Sequence, residues 1–126
     1  MMENTVYINF KKVDKHSGVP VYLQIVNQIK TKIMTGQLKK GMQLPPVREL
    51  ESIFDVNVNT ILKALERLKL EGIVEAEQGV GYFISENIPI DKEVIESIKK
   101  VVGELKSKRI DLYTTIALIE EVWKNE

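Results

Sequence analysis

The sequence has no cysteine and a single histidine, His16. Without thiols there is no disulfide framework, no zinc knuckle and no thiol nucleophile. A lone histidine in a polar connector supports neither a metal site nor a His-centred catalytic group. No apolar run approaches the roughly 18–20 residues that span a bilayer, and the opening "MMENTVYINF" lacks the basic-then-apolar layout of a signal peptide. The expectation is a cytoplasmic, non-enzymatic chain with no metal, no cofactor and no membrane association. Net charge is also absent: eighteen Lys/Arg balance eighteen Asp/Glu. The whole chain is therefore not the strongly basic object that nucleic-acid binders often are.

What is present bounds the class. Hydrophobic residues at 44% and charged residues at 29% exclude a disordered chain, and 126 residues suffice for one small domain with an appendage. The charge is unevenly placed. Residues 1–72 hold eleven Lys/Arg against seven Asp/Glu, and residues 73–126 hold seven against eleven. A basic front and an acidic back are compatible with one nucleic-acid-facing half and one partner-facing half.

Residues Val6–Phe10 are rich in β-branched and aromatic types and predict a short strand. After Pro20, apolar residues at Tyr22, Ile25, Val26, Ile29, Ile33 and Met34 predict an amphipathic helix ending near Gly36. Pro45-Pro46 open a shorter helix carrying Val47, Leu50, Ile53 and Phe54, and "DVN" breaks it. A third helix from Val58 to Glu71 buries Ile61, Ala64, Leu65 and Leu68. Ile73–Ala76 and Tyr82–Ser85 then read as two strands around a Gly79-Val80-Gly81 tip. A helix-turn-helix followed by a β-hairpin is a winged helix.

Beyond "NIPID" the period is helical again. Asp91 and Asp111 can cap two helices, whose seams place Ile98, Val101, Val102 and Leu105 on the first and Ile116, Ile119 and Trp123 on the second. A two-helix hairpin cannot bury that much apolar face alone, so a second copy of the chain is the expected cover. The fold expected is mainly α with a small β-hairpin: a winged helix over 1–86 and a two-helix dimerisation tail over 87–126.

On the third helix Asn59, Thr60, Lys63 and Arg67 lie opposite the apolar stripe, most of them toward the helix start. Asn can pair with adenine, Thr can meet a thymine methyl, and Lys suits guanine or phosphate. The bland alternative is an ordinary solvated face. Asn57 reads first as a helix cap and second as a DNA contact. Arg48, early in the second helix, suits a backbone phosphate, or else pairs with Glu49 or Glu51. Gly79 and Gly81 either only make the turn or let the tip approach a minor groove. "GVG" lies between strands and opens no helix, so it is not a nucleotide-binding loop.

Over Pro20–Ser85 the chain resembles the N-terminal winged helix of the GntR family of bacterial transcriptional regulators. The resemblance rests on Pro-x-Tyr-x-Gln-Ile, Gly-x-Leu-x-x-Gly, Leu-Pro-x-x-Arg-Glu-Leu, Val-Asn-x-Asn-Thr, Leu-x-x-Glu-Gly and Gly-x-Gly-x-Phe, all in register. The short two-helix tail is similar to that of the YtrA subfamily, whose members dimerise through it and often repress ABC-transporter operons. The resemblance implies double-stranded DNA as partner, Arg48 on phosphate, Asn59, Thr60 and Lys63 facing DNA, and Gly79 and Gly81 at the wing tip. The chain departs from the family at Pro46, where Ser is usual, and beside the wing glycines, where Gln78 and Val80 replace the usual Arg or Lys. The rival expectation is a winged helix that docks a protein partner. Operator, regulated genes and any small-molecule effector are not legible.

Overall fold

A computed structural model of the protein describes residues 9–125. Helices α1 (Val21–Met34), α2 (Val47–Phe54) and α3 (Val58–Leu70) precede strands β1 (Val74–Glu77) and β2 (Gly81–Ile84), and helices α4 (Lys92–Ser107) and α5 (Leu112–Asn125) follow. The chain divides into two compact units, one ending at Ile90 and one beginning at Asp91. Of the strand expected over Val6–Phe10, residues 6–8 lie outside the described residues. Asn9 and Phe10 are irregular, and the Phe10 ring packs on Phe54 with centroids 5.1 Å apart.

The first unit closes around the apolar stripes of its three helices. Ile25, Val26 and Ile29 from α1, Leu50 and Phe54 from α2, and Ile61, Ala64, Leu65 and Leu68 from α3 are essentially inaccessible. Their spacing of three and four residues puts each set on one side of its helix, so burying the stripes fixes how each helix is rotated. Each fully buried Leu, Ile or Phe contributes roughly 1.5–3 kcal/mol from the area removed from water. Leu38 and Leu44, between α1 and α2, are also buried. Leu44 is placed there because residues 41–44 run beside β2. The Leu44 N–H donates to the Tyr82 carbonyl, and the Ile84 and Gly41 N–H groups donate to the Met42 and Ile84 carbonyls, each at 2.8 Å. Gln43 pairs with Phe83 in a single antiparallel bridge. The hairpin itself is antiparallel, from Val74↔Ile84 to Glu77↔Gly81. The outer edge of β2 is thus covered rather than left open.

An ion cluster ties α1 to the end of α3. The Glu71 carboxylate sits 2.6 Å from Lys30 Nζ and 2.6 Å from Arg67 Nε. Hydrogen bonding from Lys30, then from Arg67, holds the Glu71 carboxyl below its ordinary value, against a smaller opposing effect of burial.

In the second unit, Asp91 Oδ1 accepts from the Glu93 N–H and Asp111 Oδ1 accepts from the Thr114 N–H, both at 2.8 Å, which caps α4 and α5. Between the helices Arg109 takes a left-handed conformation with φ 62, and the Ile110 N–H closes α4 on the Leu105 carbonyl at 3.0 Å. Neither helix has a buried residue. An apolar cleft of about 610 Å³ lies between Val101 and Leu105 of α4 and Leu118, Ile119, Val122 and Trp123 of α5.

Two predictions follow from these contacts. Glu71 has a depressed folded-state pKa, so its contribution is complete above the unfolded value near 4.5 and lost as pH falls through the folded value. Unfolding midpoints measured from pH 6 to pH 3 should therefore fall less steeply for Glu71→Gln than for the parent protein, and parallel curves would exclude the role. Gly103 lies inside α4, and a Cβ added there meets nothing within 4 Å. Gly103→Ala should accordingly stabilise α4 by about 0.5–1 kcal/mol, read as a rise in the denaturation midpoint of the full chain.

Candidate nucleic-acid interface

The turn from α2 into α3 sets the position of the candidate face. Asp55 adopts a left-handed conformation with φ 58 at the end of α2, and the Val56 N–H returns to the Glu51 carbonyl at 3.1 Å. Asp tolerates this region better than most residues because its short polar side chain bonds locally. Asn57 then caps α3: its Oδ1 accepts from the Thr60 N–H at 3.0 Å and from the Thr60 hydroxyl at 3.3 Å. Two donors at the helix start are satisfied by one side chain. The hydroxyl of Thr60 is therefore turned back toward the cap, and the residue is half-buried.

Beyond the cap, the burial of Ile61, Ala64, Leu65 and Leu68 leaves Asn59, Lys63 and Glu66 pointing away from the core, spaced four and three residues apart. Asn59 is exposed near the helix start. The Lys63 ammonium lies over the Tyr22 ring of α1, 4.3 Å from its centroid. Such a contact holds the cation by the ring's negative face without neutralising it. Arg67 departs from the stripe, since its guanidinium bonds Glu71 toward α1. The sequence pattern grouped Asn59, Thr60, Lys63 and Arg67 together; the structure leaves Asn59 and Lys63 outermost and commits the other two to bonds within the protein. Glu66 and Leu62, which is 41% exposed, border this face and were missed. Their solvent exposure is a consequence of the same helical rotation, and counting around the wheel would have found them.

Arg48 is exposed in the first turn of α2 and has no ion-pair partner among the described residues, so the expected alternatives Glu49 and Glu51 do not hold it. No side chain caps α2: Pro46 stands there, and only its carbonyl serves the helix, accepting from the Leu50 N–H at 3.0 Å. At the hairpin tip the Val80 N–H closes a turn on the Glu77 carbonyl at 2.9 Å, with Gly79 at φ 79 and Gly81 at φ 142. Both angles favour glycine. The Gln43 amide also donates to the Val80 carbonyl at 3.0 Å, bracing the tip from the segment ahead of α2. No sequence signal marked Gln43, because its partner is a backbone atom 37 residues away.

Among the described residues no group of His, Cys, Asp and Glu side chains could hold a metal ion, and no helix is long and apolar enough to cross a membrane. What the arrangement offers is a capped helix on a packed support, with an amide and an ammonium outward, flanked by a hairpin and by an arginine that has no ion-pair partner among the described residues. That is the layout with which helix-turn-helix proteins meet a major groove.

Known proteins carry the same layout. Residues 21–84 match the family described as "Bacterial regulatory proteins, gntR family". The transcriptional repressor YtrA of Bacillus subtilis (strain 168) is 45% identical over 76 residues, covering 60% of this chain and 58% of YtrA. The chain thus spans under two thirds of that relative's length. Among solved structures, YtrA from Sulfolobus acidocaldarius, a GntR-family transcription factor, is 32% identical with a TM-score of 0.57, covering 74% of this chain and 96% of that one. AraR(DBD) in complex with operator ORE1 is 28% identical with a TM-score of 0.53, covering 60% of this chain and 93% of that one. With half of its residues in the family's domain and the winged helix in place, the chain belongs to the gntR family of bacterial regulatory proteins.

Proposed function

We propose that the protein is a cytoplasmic, homodimeric repressor that binds a near-palindromic DNA operator through α3. The observation that carries this reading is the outward face of α3, where Asn59 and Lys63 stand free of the core on a helix whose start is capped by Asn57. Asn59 reads bases, Lys63 meets a base or phosphate, and Arg48 holds the sugar-phosphate backbone. Thr60 and Arg67 act behind them, one through the cap and the other through Glu71. The repressor relative and the operator complex of AraR(DBD) support DNA as the partner. The resemblance to the YtrA subfamily extends this reading to an ABC-transporter operon as the regulated target.

Pairing is carried by residues 87–126. Ile98, Val101, Val102, Ile116 and Ile119 are 37–49% exposed and Trp123 is 82% exposed, while Leu105 lines the cleft between α4 and α5. Contiguous apolar surface of this kind marks a contact site. In the proposed dimer two recognition helices enter successive major grooves about 34 Å apart.

A second reading has one observation in its favour: residues 74–84 carry Glu75 and Glu77 and no Lys or Arg. Such a wing suits a protein partner better than a phosphate backbone. Salt dependence separates the two, because releasing counterions requires phosphate contacts. Affinity for a duplex selected from a random pool should fall steeply with added salt, and a flat response favours the protein partner.

Asn59→Ala should relax base preference at one position of each half-site at a cost of about 1–3 kcal/mol, whereas Arg48→Ala should weaken all sequences alike and flatten the salt slope by about one unit. Binding indifferent to both substitutions would falsify the assignment of this face. For the dimer, Val101→Glu with Ile119→Glu should yield a monomer in sedimentation equilibrium. Such a monomer should lose about 100-fold or more in affinity for a two-half-site duplex, since the second half-site no longer benefits from the first. A dimer that persists would relocate the interface.

A further inference from the structure

We infer that residues 11–16, "KKVDKH", form a second DNA-contacting element beside the recognition helix, with Lys15 reaching a backbone phosphate. This rests on the reading that α3 faces DNA, and it concerns a segment preceding the domain's first helix. The segment is held firmly and unusually. The Gln28 side-chain amide bonds both backbone groups of Lys11, accepting from its N–H and donating to its carbonyl, each at 2.8 Å. One helical turn earlier, the Gln24 amide does the same for Asp14, again at 2.8 Å for both bonds. The second hydrogen on Gln24 Nε2 is shared between the Ser17 hydroxyl at 3.1 Å and the Val19 carbonyl at 3.0 Å. Two glutamines four residues apart on α1 thus serve as a surrogate strand edge for the arm. Phe10 and Val13 supply the apolar side by packing against the core.

None of this anchoring uses the charged heads of Lys11, Lys12 or Lys15, nor the His16 ring. Among the described residues the fold takes backbone atoms and two apolar side chains from the arm, and Lys11, Lys12 and Lys15 stay exposed. Their placement is not arbitrary, however. Lys15 Nζ lies 3.7 Å from Asp55 Oδ2, with the two side chains 54% and 68% exposed. Asp55 is the turn residue two positions ahead of the cap Asn57 and four ahead of Asn59, so the Lys15 ammonium stands at the entrance of the recognition helix. A pair so exposed is held weakly. A phosphate entering that space competes with the carboxylate on favourable terms, since it also releases a condensed counterion.

The test is duplex binding by the full chain between 50 and 200 mM salt, using a DNA selected from a random pool. One phosphate contact contributes a slope of about 0.9, a factor of about 3.5 in affinity across that range. Lys15→Gln should lower the slope by about one unit, and Lys15→Arg should retain it. Gln24→Leu, which removes no charge but frees the arm, should lower it as Lys15→Gln does. An unchanged slope in Lys15→Gln, while Arg48→Ala still lowers it, overturns the arm's role and leaves the α3 reading intact. Equal losses in Lys15→Gln and Lys15→Arg overturn it too, because the charge would then not be the cause. No effect from any of these, Arg48→Ala and Asn59→Ala included, removes the α3 reading and this inference with it.

Discussion

Burial of one stripe, Ile61, Ala64, Leu65 and Leu68 of α3, against α1 and α2 is the constraint on which the rest of the structure depends. A helix with one apolar side has a single rotation that removes that side from water, and a large error in rotation would expose several kcal/mol of burial. With the rotation fixed, the opposite side is fixed as well. Asn59 and Lys63 are outward because four other residues are inward. The α2–α3 turn, the cap at Asn57 and the cluster around Glu71 then set where α3 begins and ends, not which way it faces.

Two kinds of support surround this helix, and they differ in physical character. Apolar packing from Phe54 and Leu50 involves no charge for salt to screen and no group for pH to titrate. The Lys30–Glu71–Arg67 cluster and the Lys63–Tyr22 contact are electrostatic and partly exposed. Their geometry places a ring of α1 beneath a cation of α3, so the direction of the Lys63 side chain is set from outside its own helix. Arrangements of that kind orient a flexible side chain before its partner arrives, which reduces the ordering cost at binding.

Much of this was legible in the sequence, for reasons that can be named. Helix periodicity gave α1, α2 and α3 within a residue or two, and the capping roles of Asn57, Asp91 and Asp111 followed from residue type and position. The glycine pair placed the hairpin tip. What sequence reasoning did not reach were partners distant along the chain. Gln43 on Val80, Gln24 and Gln28 on the N-terminal arm, and Lys63 on Tyr22 all join a side chain to something 10 to 41 residues away. No local pattern records such pairs. The strand-like pairing of residues 41–44 was missed for the same reason: its proline- and glycine-rich flanks signal a turn, and only the edge of β2 makes it a strand neighbour.

The brace between Gln43 and the hairpin tip has a consequence for the partner. Gln43 holds the tip through its side chain, its neighbours Met42 and Leu44 hold β2 through their backbones, and the prolines that start α2 begin at Pro45. Hairpin and helix-turn-helix are therefore joined by a short, doubly anchored strut, which resists swivelling of one against the other. In the proposed complex, a duplex whose curvature does not suit that frame has to supply the adjustment itself. Its base steps then matter through their stiffness as well as through their exposed edges, so part of the selection among binding sites would fall at positions that no side chain touches.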